Sequence, residues 1–388
     1  MRKSRSRRAN ASLSHFRSRT FARGSHALQE NGYRTVFAID ERRFANIDES
    51  FGFDQIVGPK AGALDFLLQR MNDTPLTNLL LQTRLAQWVL PFSYLNTASH
   101  ANYNSRGFVE EAVAGSTETK PLFLAVHFES AHFPFKTRHA ARKIDYSNDF
   151  MARHVAALTG VDAQVGHLVS LLAARGRLEN ALVIVLSDHG EGLGEIEAQT
   201  TRVGEPYLVR GFGHGGSVLS EHQNRVVLGL IRFQGGQPVD APGLHRNDLV
   251  SLTDVRDVIE RFASRGEIHL EPKTNRCILS ETGLRFRAAA DYKTLNPAEL
   301  AAESANHYEI DDAGRMRLRE DRLALLVAAK DVALRCTNKL TYFSNVENRH
   351  FAYSIDASRR LTEIEPEKTD VARIEAYRQK LADTAHPY

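Results

Sequence analysis

The chain has 388 residues, a formal net charge of +3, and 42% hydrophobic and 25% charged residues. That balance excludes a disordered or fibrous protein and allows either one large domain with an appendage or two ordinary domains. The charge is uneven, because residues 1–29 carry Arg2, Lys3, Arg5, Arg7, Arg8, Arg17, Arg19 and Arg23 and no acid, which leaves the remainder net negative.

The basic arm reads as a solvated terminus rather than a nucleic-acid tail, and no apolar segment follows it as a secretory signal would require. Asn31-Gly32 marks a helix end before a short buried strand over Gly32–Asp40. Asp40 and Glu41, beside Arg42 and Arg43, are expected to be surface charges. Residues 60–118 look helical and loop-like, with Phe66-Leu67-Leu68 and Leu79-Leu80-Leu81 as buried faces. A second strand is expected at Pro121–His127.

Between Asn148 and Arg175 the apolar positions Val155, Leu158, Val161, Val165, Leu168, Leu171 and Leu172 recur at three and four, which predicts a helix ending near Gly176. It leads into Ala181–Leu186, a continuous apolar strand of the type buried on both faces of a parallel sheet. Apolar runs such as this one fall short of the roughly 18–20 residues that a membrane span needs. Strand, helix and strand make a βαβ unit and predict an α/β fold, with Ala181–Leu186 as a central strand. A third strand is expected at Val226–Ile231, after a Gly-rich loop, and a helix from Thr253 through Phe262. Beyond a boundary near residue 266, the segments 315–319, 339–344 and 350–355 alternate as antiparallel strands do, and 368–385 reads as a closing helix. The expected organisation is therefore a basic arm over 1–29, a catalytic domain over 30–265 and a small antiparallel subdomain over 266–388. Cys277 and Cys336 define neither a metal cluster nor a disulfide framework.

The chemistry gathers at strand ends, where loops converge over a rigid sheet. Ser187-Asp188-His189-Gly190-Glu191 follows one strand, and a carboxylate beside an imidazole can hold a divalent cation. His132 sits in the loop His127–Phe135 after another, presented by Pro134. His214 lies in Gly211–Gly216 between the Asp188 strand and the next. Protonated histidines suit an anionic ester and can protonate its leaving oxygen.

These segments, with Val250–Val255 and the earlier Asn31–Thr35 and Gly52-Phe53-Asp54, resemble the sulfatases and related phospho- and sulfo-transferases of the alkaline phosphatase superfamily. Order and spacing agree from about residue 24 to about residue 265. Lys339–Phe343 resembles the small subdomain that ends such enzymes. The resemblance implies an alkaline-phosphatase-like sheet flanked by helices, with Asp188 and His189 as metal ligands, His132 as a substrate-anion contact or leaving-group acid, and His214 as a second contact to the sulfuryl or phosphoryl oxygens. It implies a divalent metal, calcium first and manganese or zinc next, and a small-molecule, lipid or glycan sulfate or phosphate ester as partner. A full-length relative would be periplasmic or membrane-associated. Glu191 and Glu195 are read as residues that support the ligands from behind or stand at the rim, not as ligands.

The family's Cys/Ser-x-Pro-x-Arg motif does not occur in the sequence. Gly32-Tyr33-Arg34-Thr35 also arrives after only 31 residues, so the expectation is an N-terminally incomplete domain without turnover. Sulfate-ester hydrolysis by metal-assisted displacement is the first reading. A phosphoester hydrolase or phospholipid headgroup transferase is the alternative, and an inert remnant or basic-tailed binding protein is the reading from outside enzymology.

Overall fold

A computed structural model describes residues 25–41, 51–58, 103–115, 119–133, 135, 137–146, 148–239, 248–268, 276–284, 305–310 and 316–385, with isolated positions between them. Most of the basic arm, the apolar runs at 66–68 and Leu81, and Pro134 lie outside the described residues. The fold is α/β. The chain divides into two units, Met1–Val183 with Ile231–Asp240 and Ile259–Ile268, and Ile184–Leu230 with Ala241–Val258 and His269–Tyr388.

In the first unit, a helix over residues 25–30 stops at Gly32, whose φ of +80° is the left-handed conformation that glycine adopts without cost. The chain enters β1 (Arg34–Ile39), which pairs in parallel with β2 (Gln55–Val57) on one side and β3 (Leu122–His127) on the other. Two helices cover this sheet: α1 (Ser105–Ala114) and α2 (Asp149–Ala174). Val36, Ala38, Val57, Phe108, Val109 and Ala112 form the core, against which Leu168 and Leu171 of α2 pack. By length and composition alone α2 could cross a membrane.

Asn148 caps α2, its side-chain oxygen accepting from the N–H groups of Phe150 and Met151 at 2.9 and 3.2 Å. Asn148→Ala is expected to cost about 1 kcal/mol of stability. The check is the urea midpoint, and an unchanged midpoint would show that the cap is replaced by water without loss.

Asp40 and Glu41 are not surface charges. Both are fully buried, because β1 delivers its carboxyl end into the sheet's interior rather than to solvent. Asp40 accepts from the Tyr103 hydroxyl at 2.7 Å and from the Glu129 N–H at 2.8 Å. Tyr103 in turn accepts from Gln164 at 3.1 Å, whose amide oxygen accepts from Ser130 at 3.0 Å. Two of the loop residues after β3 are thereby tied to Asp40. Burial first, then the neighbouring charge of Glu41, pushes the Asp40 carboxyl up to about 7.

Strand β4 (Asn180–Leu186) lies in the order β4-β7-β8 with β7 (Leu228–Gln234) and β8 (Gln237–Pro238), at the edge of that sheet among the described residues. It is therefore not central, and Val185 and Leu186 remain 40% and 44% exposed. A continuous apolar run reports burial on both faces only where a neighbour covers each of them. Strands β3 and β4 also belong to different sheets, so the expected βαβ pairing is not formed. Helix α4 (Leu252–Arg265) occupies the stretch predicted for it.

The stretch from Gly192 to Gly213, which takes in the first three residues of the expected Gly211–Gly216 loop, is paired. It forms a long antiparallel hairpin of β5 (Gly192–Arg202) and β6 (Glu205–Gly213). Val203 and Gly204 turn it with φ of 54° and 79°, the sign at both positions that a tight two-residue hairpin needs. Between the hairpin and β7 lies the one-turn helix α3 (Glu221–Asn224).

The second unit also carries the antiparallel order β15-β14-β13-β12-β9, made of β9 (Cys277–Glu281), β12 (Val332–Cys336), β13 (Lys339–Ser344), β14 (Arg349–Ile355) and β15 (Leu361–Ile364). A separate pair joins β10 (Tyr308–Ile310) and β11 (Met316–Leu318), followed by α5 (Glu320–Ala328). The closing helix α6 (Lys368–Ala385) lays Ile374 and Tyr377 against Val332, Leu334 and Phe343. Val209, Leu340, Tyr342, Phe351 and Tyr353 form the other core of this unit, and Thr200 of the hairpin donates to the Leu361 carbonyl at 3.0 Å. Cys277 and Cys336 stand opposite each other on β9 and β12 and are joined as a disulfide. Their separation of 59 residues hides a contact that only strand register creates.

Candidate metal centre

Strand β4 ends at Leu186, and the chain turns out of it through Ser187, whose hydroxyl accepts from the Val227 N–H at 2.9 Å. Asp188 and His189 follow directly. Gly190 is required behind them, since a Cβ there would come within 1.9 Å of the His222 carbonyl oxygen. Asp188 turns one oxygen back onto the His189 N–H at 3.0 Å and is 61% exposed at its side chain.

His189 Nδ1 lies 2.8 Å from the Gly190 carbonyl oxygen. A carbonyl only accepts, so Nδ1 carries a proton, and in the neutral ring Nε2 presents the lone pair through which imidazole binds a metal. The hairpin returns the chain at Gly213 and places His214 beside it, with the two imidazoles stacked at 3.7 Å between centroids and 25° between planes. His214 Nδ1 donates to Glu191 at 2.8 Å. That bond with the Glu191 charge holds His214 above the usual imidazole range, against an opposing effect of burial.

His189, Glu191 and His214 each offer a ligand atom within 4.8 Å of one another. A carboxylate that orients a ligating imidazole through its second nitrogen is a recurrent support of metal sites. Two imidazoles with carboxylates fit a borderline cation such as zinc or manganese better than calcium, which takes six to eight oxygens. Outside this group, His222 pairs with Glu195 at 2.9 Å. Burial raises the Glu195 carboxyl, but the backbone N–H groups and His222 outweigh it and leave it below its usual value.

Asp188, His189 and His214 are thus brought together in one unit. His132 belongs to the other, in the turn after β3, where its N–H donates to the Glu129 carbonyl at 2.9 Å and its Nδ1 to the Phe133 carbonyl at 2.8 Å. Next along the loop, buried Phe135 takes a φ of 53° and packs edge-on against Phe133 and Phe150. His127 at the end of β3 lies 3.1 Å from Glu129. Sequence alone places Glu191 behind the ligands or at the rim and does not single out Gln223 at all. A carboxylate two residues past His189 is the available signal for the first, and the second carries none.

The alkaline phosphatase superfamily protein from Vibrio parahaemolyticus is similar at 16% identity, covering 93% of this chain and 67% of that one, with a TM-score of 0.47. The lipoteichoic acid synthase LtaP from Listeria monocytogenes stands at 13%, 95%, 74% and 0.49 by the same measures. The PsFucS1 sulfatase from Pseudoalteromonas sp. stands at 16%, 94%, 73% and 0.44. No curated protein matches the sequence. The sulfatase family model matches residues 17–250, which contain Asp188, His189, Glu191 and His214, and the chain belongs to the sulfatase family.

Proposed function

We propose that the chain is a sulfatase-like hydrolase whose Asp188–His189 loop and His214 loop bind a divalent cation and an anionic ester. The supporting observation is the stacked His189–His214 pair with Glu191 bonded to the second ring. When bound, the cation would neutralise ester oxygens and lower a nucleophile's pKa. Asp188 and His189 are proposed as its ligands, with Glu191, which offers an oxygen within 4.8 Å of the His189 ligand atom, as a third. His214, whose charged form is favoured by its bond to Glu191, is proposed to meet the negative oxygens of the sulfuryl group. His132 is proposed as a contact to the leaving oxygen, on the strength of the resemblance alone. With a nucleophile supplied, displacement would form the nucleophile–sulfur bond and break the sulfur–oxygen ester bond, the leaving oxygen taking its proton from His132.

The His189 imidazole among the proposed ligands favours a second reading beside sulfate esters, namely phosphoester hydrolysis or headgroup transfer with manganese or zinc. Calorimetric titration of the whole chain with calcium, manganese and zinc separates the metals. We expect zinc or manganese to bind tighter than calcium, and Asp188→Ala or His189→Ala to weaken binding by at least about tenfold. Equal affinity in wild type and both variants would sink the assignment.

No Cys/Ser-x-Pro-x-Arg motif occurs, so the chain is expected to bind metal without turning over an aryl sulfate. Turnover of an aryl sulfate or of an aryl phosphodiester that disappears in Asp188→Ala would show that another side chain serves as the nucleophile, and would tell the two substrate classes apart.

A further inference from the structure

Gln223 is 7% exposed and lies in α3, outside the chain segments that carry the proposed ligands. Its backbone carbonyl accepts from the Gly190 N–H at 2.9 Å, directly after His189. Its amide oxygen accepts from the N–H groups of Gly216 and Ser217 at 2.9 and 3.3 Å, two and three residues after His214. One residue therefore bonds both loops whose imidazoles stack. Its amide nitrogen donates to Glu197 on β5 at 2.7 Å, and Glu197 is 6% exposed. Two N–H donors on one side and a carboxylate on the other leave the amide a single sensible orientation.

The brace is itself held. Ser220 Oγ accepts from the Gln223 N–H at 3.0 Å, and Asn224 donates to the carbonyls of Ser217 and Ser220 at 3.2 and 2.6 Å. Glu221 of the same turn pairs with Arg335 at 2.8 Å and Arg359 at 2.6 Å, both from the antiparallel sheet side of the unit. The His214 loop has a second tie, from the Gly283 N–H to the Gly215 carbonyl at 2.9 Å, at a φ of +68° for Gly215.

We propose that Gln223, oriented by Glu197, is the positioning residue that sets the spacing between the Asp188–His189 loop and the His214 loop, and hence the geometry in which they meet a metal. The last clause rests on the metal reading above; the brace itself does not. The carboxylate of a Gln223→Glu variant can still accept from Gly216 and Ser217, but at a pH where it and Glu197 are both ionised it faces Glu197 with no donor, so the brace opens. Glu197→Gln leaves an acceptor for the Gln223 amide. The exchanged pair, Glu197→Gln with Gln223→Glu, restores donor and acceptor with their places reversed.

The test uses the full chain with histidine-selective isotope labels. The stacked rings shift each other's proton resonances, which His189→Gln and His214→Gln assign. Gln223→Glu is expected to abolish that mutual shift and to weaken zinc binding by at least about tenfold. Glu197→Gln is expected to match wild type in both, and the exchanged pair to recover both. If Gln223→Glu fails to fold, the exchanged pair decides alone: a folded double variant with wild-type ring shifts supports the brace, and one without them overturns it. A folded Gln223→Glu that keeps the ring shifts overturns it as well. Should wild type bind no zinc while the ring shifts follow the brace, the metal reading falls and the positioning role stands.

Discussion

Replacing Asp40 with asparagine is expected to flatten the pH dependence of stability between about pH 4 and pH 7. The wild-type carboxyl, fully buried, is raised to about 7, whereas in the unfolded chain it titrates near 4. Between those values the native state holds a proton that the unfolded state has released. Stability therefore falls as pH rises through the window. The contribution is complete below about pH 4 and lost above about pH 7, and is of the order of 4 kcal/mol at most. The amide of the Asp40→Asn variant does not titrate, which removes that slope. Urea unfolding at several pH values between 4 and 8 measures it. Parallel profiles for wild type and variant would mean that Asp40 stays ionised throughout, its bonds from Tyr103 and Glu129 outweighing burial.

Reduction of the Cys277–Cys336 bond is the second large effect. The bond closes a loop of 59 residues, and the chain-entropy relation gives about 4 kcal/mol lost from the stability of the unit that contains it. The thiols lie on paired strands within a core that includes Val332, Leu334, Phe343 and Ile374, so the sheet should persist and the loss appear as a lower midpoint. Thermal unfolding with and without a thiol reductant, compared with Cys277→Ser/Cys336→Ser, is the measurement. A midpoint insensitive to reductant in wild type would show that the unfolded ensemble gains little from being released.

Local signals in the chain were enough for several elements. The three-and-four spacing from Val155 to Leu172, with Asn148 ahead of it and Gly176 behind, is realised as α2 within one residue at each end. Alternation at 339–344 and 350–355 became β13 and β14. The strand ending at Leu186, followed by Asp188 and His189, was legible because an apolar run and a dipeptide of metal-binding types lie next to each other in sequence. The hairpin over 192–213 was hidden, since its glycines and its polar run Glu195–Arg202 imitate a loop, and what keeps them extended is pairing with a partner strand.

Position along the chain thus decided which residue types stand at the ends of β1, β3 and β4, and those follow from short-range rules of burial and turn formation. Tertiary structure alone decided which of them meet. It stacked His214 on His189 across an intervening hairpin, made Glu191 the partner of His214, and buried Asp40 behind Tyr103. It also recruited Gln223, a residue with no chemical signature of its own, to bind two loops at once. The physical reason is that hydrogen bonds and ring contacts depend on distances of a few ångströms between residues 23 and 63 positions apart, and those distances are set by strand register and packing, to which local periodicity is blind.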